Sequence, residues 1–228
     1  MEKKEFPKAE GDFQPRASGI SGKLSGLYGK SFAMIKLILG ICLLPFTYSS
    51  TLAFLNEFSL IEKPLQNYFW VGVITLLLVY LFVWEPVIIY TKGYKLLELI
   101  FNFFKPLVRV APYLLPVYTI ILFVAYALLS LVVKSRWLIE YSIFLSGLTI
   151  SLHLIFSAKA IRSKKGDFLK ANYIFGFSFI YVVNLMLLAF CLNLVFKDFS
   201  FVNFFNNAYS MAGSVFKAIF SQLFKVKS

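Results

Sequence analysis

The chain has 228 residues, of which 59% are hydrophobic, 19% aromatic and only 15% charged, against about 45–50% apolar and about 25% charged in a soluble domain. With a mean hydropathy of +0.76, this composition excludes a disordered, collagen-like or disulfide-scaffold chain and leaves too little polar surface to keep a soluble exterior wet. The net charge of +12, from 23 basic and 11 acidic residues, is spread between apolar runs, the pattern of loops facing anionic lipid and not of a nucleic-acid surface.

Residues 1–30 read as a flexible basic cytoplasmic tail. Its Ser18-Gly19, Ser21-Gly22 and Ser25-Gly26 pairs weaken any helix through the conformational freedom of glycine. The first apolar run begins after this polar stretch, so an uncleaved anchor is expected and not a signal peptide. Residues 31–196 read as the membrane bundle. Crossing hydrocarbon takes about 20 apolar residues as a helix, and an open chain satisfies its backbone inside lipid only as helix. Five spans are expected, near 35–56, 66–90, 110–133, 137–158 and 172–196. The fold class is therefore an all-α polytopic bundle of five transmembrane helices, with six as the alternative, plus interfacial amphipathic helices.

Two segments carry amphipathic patterns. In a linker helix over 92–108, Lys92, Lys95, Glu98, Asn102, Lys105 and Arg109 recur at steps of 3, 3, 4, 3 and 4, which places them on one helical face. Such a helix rests in the interface with Lys92, Lys95, Lys105 and Arg109 towards lipid headgroups, and Pro106 ends it or bends it into the third span. Within 197–228, Asn203, Asn206, Asn207, Ser210, Ser214, Lys217 and Ser221 form a polar stripe on an otherwise apolar helix. That segment is interfacial or a sixth span. Five is the leading count because the stripe is so polar.

Orientation follows from the basic residues. The tail, the linker and the 157–170 loop carry 6, 4 and 5 of them, and the two alternate connections carry 1 and 2. The N-terminus is therefore expected in the cytoplasm, with a bacterial inner membrane the leading location.

An ionisable group inside a span is a functional candidate. Lys36, Glu85 and His153 fall towards the cytoplasmic side of their spans and, with Asn184, make up a candidate intramembrane polar site. The bland alternative is that each snorkels to the interface. Glu140 stands four residues from Arg136, the spacing of a local ion pair. The cysteines, Cys42 and Cys191, lie inside apolar runs and are expected to be buried spacers. Gly40, Gly147, Ser151, Gly176 and Ser178 are expected to face other helices, because close approach needs small side chains.

Enzyme signatures are not found in the sequence. With one histidine and no HExxH, no multi-histidine zinc site forms within one subunit. The three aspartates, Asp12, Asp167 and Asp198, lie outside the five spans, and there is no GxSxG elbow. Ser151 and His153 are two residues apart and point to different helical faces. No catalytic residue, cofactor or metal is assigned. The leading expectation is a non-enzymatic scaffold, accessory or assembly subunit of a membrane complex, in contact with anionic lipid and with a membrane-protein partner or a second copy. The alternative is a small-solute or ion transporter or channel component using Glu85, His153 and Asn184, and a lipid-modifying enzyme is a more distant one.

Overall fold

The computed structural model describes residues 19–103, 105–163 and 173–224, and every regular element among them is helical. The elements are α1 (Gly19–Phe58), α2 (Lys63–Leu78, continued by a π-helical turn Val79–Val83), α3 (Val87–Ile100), α4 (Lys105–Leu114), α5 (Val117–Val132), α6 (Arg136–Ser163), α7 (Tyr173–Val195) and α8 (Phe201–Phe224). Four stretches among them, Met34–Phe58, Lys63–Val83, Arg136–Arg162 and Tyr173–Val195, are long and apolar enough to cross a membrane. Large apolar side chains point outward, Phe82 and Val132 leaving 79% and 85% of their surface open. In water so much open apolar surface would drive aggregation, whereas in a bilayer it is lipid contact.

Prolines set the places where the helices stop. Glu85 precedes Pro86, and the pyrrolidine ring forces the preceding residue out of the helical region. The expected span at 66–90 therefore ends at Val83: Trp84 N closes a π-turn onto Val79 O at 2.9 Å, and α3 starts beyond Pro86. The expected linker helix over 92–108 is likewise two pieces. α3 stops at Ile100, and Pro106 occupies the first turn of α4, where its missing N–H costs nothing. The expected span at 110–133 is broken at Leu115–Pro116, leaving α5 with 16 residues, about 24 Å of helix. Helix also begins earlier than expected. The chain is helical from Gly19 and not a flexible tail up to residue 30, because extending a formed helix costs far less than nucleating one. Residues 1–18 of that tail, residues 164–170 of the basic 157–170 loop and the C-terminal Lys225 and Lys227 lie outside the described residues.

Ring and glycine contacts give the packing directions. Phe54 meets Phe204 and Phe46 meets Phe216, at centroid distances of 6.4 and 5.6 Å, so α8 runs antiparallel along α1. Gly40 abuts the backbone of Phe175 and Thr51 Oγ1 lies 2.9 Å from Tyr181 Oη, so α7 runs parallel to α1. α2 lies on α6 through two glycines: a Cβ at Gly72 would sit 2.0 Å from Phe144 O, and one at Gly147 would sit 2.2 Å from Phe69 O. Gly40, Gly147, Gly176 and Ser178 are buried as expected, and Ser151 is half-buried. Gly72 completes the crossing as an unexpected partner. Cys42 departs from expectation, being exposed, and Cys191 is only half-buried.

The main apolar cluster joins α1, α2, α5, α6, α7 and α8, and includes Phe54, Phe58, Phe69, Leu192, Phe199 and Phe204. Lipid tails are as apolar as these side chains, so close packing and interhelical hydrogen bonds hold such a bundle together. Gly147→Ala should lower the unfolding temperature in detergent, with overpacking costing about 1–3 kcal/mol. An unchanged melting curve would mean that α2 and α6 do not cross there.

Candidate functional site: the broken helix and its polar neighbours

The break between α4 and α5 leaves main-chain acceptors without helical donors. Pro116 has no N–H to return to Pro112, and Val117 N turns back to Leu115 O at 2.9 Å in place of Tyr113 O. The Tyr113 and Leu114 carbonyls thus lose their helical donors. In hydrocarbon an unsatisfied carbonyl costs several kcal/mol, so irregular backbone survives there only where protein covers it.

Two of the sequence candidates cover it. His153 on α6 places Nε2 3.0 Å from Tyr113 O. A carbonyl only accepts, so the hydrogen is on Nε2 and the ring donates. Ser157, one turn on, sends its hydroxyl towards the same carbonyl at 3.4 Å and lies 3.3 Å from Nε2. Asn184 on α7 donates from Nδ2 to Leu114 O at 3.1 Å and to Ile180 O at 2.8 Å. Both residues are buried, His153 6% and Asn184 0% exposed. Asn184 Oδ1 is buried with no partner among the described residues. Ser157 and His153 therefore do not form a nucleophile and base, because the ring nitrogen that Ser157 approaches is already the donor to a peptide carbonyl.

A cavity of about 10 Å³ lies beside this junction, lined by Tyr90, Tyr94, Tyr118, Thr149 and His153 among others. That volume is about what one water needs. Tyr118 Oη donates to Ile89 O at 2.6 Å and Thr119 Oγ1 meets Thr149 Oγ1 at 2.9 Å, tying α5 to α3 and α6. Gly93 lets α3 come close, since a Cβ there would lie 2.8 Å from the Tyr118 ring.

The other two candidates are elsewhere. Glu85, in the break before α3, is paired with Lys159 near the end of α6. The hydrogen bond from Lys159 holds the Glu85 carboxyl below its ordinary range, ahead of the opposing effect of partial burial. Lys36 is buried on α1, one turn before the Gly40 contact with α7. Of the four residues expected to share one polar site, His153 and Asn184 meet the break, while Glu85 is paired with Lys159. Arg136 bonds Glu140 through Nε at 3.1 Å, as the spacing predicts, and also reaches Glu62 through Nη2 at 2.7 Å.

Sequence reading missed three polar anchors. Gln66 Nε2 donates to Ser59 O and Ile61 O, at 3.0 and 2.6 Å, and so closes the α1–α2 turn. Glu57 is buried on α1 and accepts from Ser200 N at 3.3 Å, a carboxylate at the start of α8 where the helix dipole favours it. Asn193 Oδ1 accepts from Phe201 N at 2.9 Å. The Ser200 position was readable as a helix N-cap. The tertiary donors and acceptors carry no local sequence signal. Of the expected headgroup contacts, Lys92 and Lys95 are exposed on α3, while the side chains of Lys105 and Arg109 lie outside the described residues.

Two predictions follow from these contacts. His153→Ala and Asn184→Leu should each destabilise the bundle by about 1–3 kcal/mol, the cost of stranding a buried carbonyl, and His153→Gln, which keeps a donor, should recover part of the loss. Equal stability of His153→Ala and wild type in detergent unfolding would refute the capping role. For Glu85, a carboxyl whose pKa is lowered on folding stabilises above its ordinary value and loses that contribution as pH falls through the lowered one. The difference in melting temperature between wild type and Glu85→Gln should therefore be present at neutral pH and vanish well below pH 4.5, the ordinary carboxyl value. A difference that persists in acid would contradict the pairing.

No protein-family model, curated protein or solved structure matches this chain, so a functional reading rests on the polar contacts just described.

Proposed function

We propose that this chain is a non-enzymatic multi-pass membrane scaffold or assembly subunit, inserted in a bacterial inner membrane with its N-terminus in the cytoplasm. One observation carries the reading. His153, Ser157 and the amide nitrogen of Asn184 are directed at the bundle's own backbone, with Ser49 Oγ and Asn184 Oδ1 left buried without a partner among the described residues, whereas the polar stripe of α8 faces away from the bundle. Phe204, Ala208 and Ala212 are the buried positions of α8, and Asn203, Asn206, Asn207, Ser210, Ser214, Lys217 and Ser221 are all exposed. Polar surface turned outward on a membrane bundle suits a partner more than a substrate path.

The antiparallel course of α8 beside α1 favours the six-crossing alternative over five. Its 24 residues give about 36 Å of helix, and α4 with α5 would together make one broken crossing. Six crossings also return the C-terminal Lys225 and Lys227 to the cytoplasm, in keeping with the positive-inside rule. Lys92 and Lys95 on α3 then meet anionic headgroups on that same side.

A second reading, transport, has one feature in its favour, the discontinuous helix at Leu115–Pro116, because broken helices build the ion and solute sites of many transporters. Its carbonyls already have donors from His153 and Asn184, which weighs for a structural role.

Two measurements separate these readings. The protein extracted in mild detergent should run as an assembly of fixed stoichiometry by light scattering, and a lone monomer at every concentration would overturn the scaffold role. Reconstituted vesicles showing solute or proton flux abolished by Asn184→Leu would establish transport instead. A cysteine placed at Ser228 should be labelled from the cytoplasmic side, and labelling from outside would restore five crossings.

A further inference from the structure

On the placement of α5 in the bilayer proposed above, and independently of the scaffold role, the geometry points to a phospholipid bound in the gap between α5 and α7. Asn184 fastens α7 to Leu114 O at the break before α5. Past that point a cavity of about 440 Å³ lies between the two helices, with Phe123, Ala127, Phe190 and Leu194 among its walls. Ligand pockets hold about 300–1,000 Å³. Apart from the hydroxyls of Tyr126 and Ser130 and the Cys191 thiol, the lining is apolar, so water has too few partners to fill it. Left empty, the gap would forfeit dispersion contacts that a lipid tail supplies.

Shape selects a chain over a helix. The lining runs from Ile120 to Ser130 on α5, about 15 Å of helix, which is half of a hydrocarbon core about 30 Å thick. An acyl chain fills one leaflet, whereas a partner helix would run the full thickness. Spread over that length, the volume corresponds to a cross-section of about 30 Å², against about 80 Å² for a helix about 10 Å across.

The gap is also polar at one end. Tyr126 and Ser130 belong to the last two turns of α5. Asn184 meets the chain at Leu114, and the gap joins 120–130 to 187–195, so α5 and α7 run the same way and end on one side. There Lys134 follows Ser130 by four residues and Lys197 follows Val195 by two, and both are exposed. Neither makes an ion pair among the described residues, whereas Arg136 is held by Glu62 and Glu140. With Asp198 beside Lys197, these three groups carry a net charge of +1, which one phosphate balances. Apolar walls below hydroxyls, and hydroxyls below cations, follow a glycerophospholipid from chain through ester to headgroup.

Native mass spectrometry of the full chain in mild detergent tests this. With added dioleoylphosphatidylglycerol the wild type should carry one lipid per chain, and severalfold less of dioleoylglycerol, which has the same chains without the phosphate. Ala127→Trp, which fills the gap, and the double variant Lys134→Ala/Lys197→Ala should each lower occupancy by the phospholipid severalfold. Leu128→Trp, on the same helix but outside the lining, should leave it unchanged. The comparison of the two lipids needs no variant, so it decides even if Ala127→Trp fails to fold. Equal occupancy by both lipids would overturn the phosphate site, and equal occupancy across the variants would overturn the gap as the seat of the lipid. A co-purifying protein lost from Ala127→Trp while lipid stays would give the gap to a partner helix instead. No lipid on any form would overturn the inference and leave the scaffold reading to its light-scattering test.

Discussion

A buried peptide carbonyl must find a donor, and in this chain that requirement fixes the junction of α4 and α5 with α6 and α7. Pro116 interrupts what would otherwise be one apolar helix and frees the carbonyls of Tyr113 and Leu114. His153 from α6 and Asn184 from α7 then have to stand where those carbonyls point. The break therefore ties three helices together at one depth, and the close approach of α3 and the Thr119–Thr149 contact gather around the same point. Hydrophobic burial sets no such positions, because lipid competes equally well for every leucine.

The same economy governs the ends of the helices. Gln66 closes the α1–α2 turn, Arg136 links the α1–α2 and α5–α6 connections through Glu62 and Glu140, and Glu57 with Asn193 satisfies the first amides of α8. Each of these side chains is paired with a backbone group or an opposite charge. Inside the bundle Asn184 Oδ1 and Ser49 Oγ stay buried without a partner among the described residues, while the longest run of exposed polar side chains lies on the outer face of α8. That contrast is the ground for the assembly role proposed above.

Much of this was legible in the sequence. Apolar runs of sufficient length pointed to membrane-crossing helices: the expected spans at 35–56 and 172–196 lie within two residues of Met34–Phe58 and Tyr173–Val195, while the one at 137–158 runs on to Arg162. The small residues Gly40 and Gly147 marked real crossings. Hydropathy could not place the interruptions at Glu85-Pro86 and Leu115-Pro116, because it is blind to backbone geometry and proline decides there. His153 was legible as a polar residue needing a partner inside the bundle, but only the fold shows that one partner is a carbonyl forty residues earlier. The partners of Glu85 and Glu57 are 74 and 143 residues distant, beyond any local pattern.

The tautomer and bonding of the single histidine report most directly on this account. Nitrogen-15 NMR of the protein labelled at His153, in lipid or detergent, should show Nε2 carrying a hydrogen that is bonded to a carbonyl and protected from exchange with water. A bare Nε2, or one whose hydrogen exchanges freely with solvent, would contradict the capped break and the three-helix junction built on it.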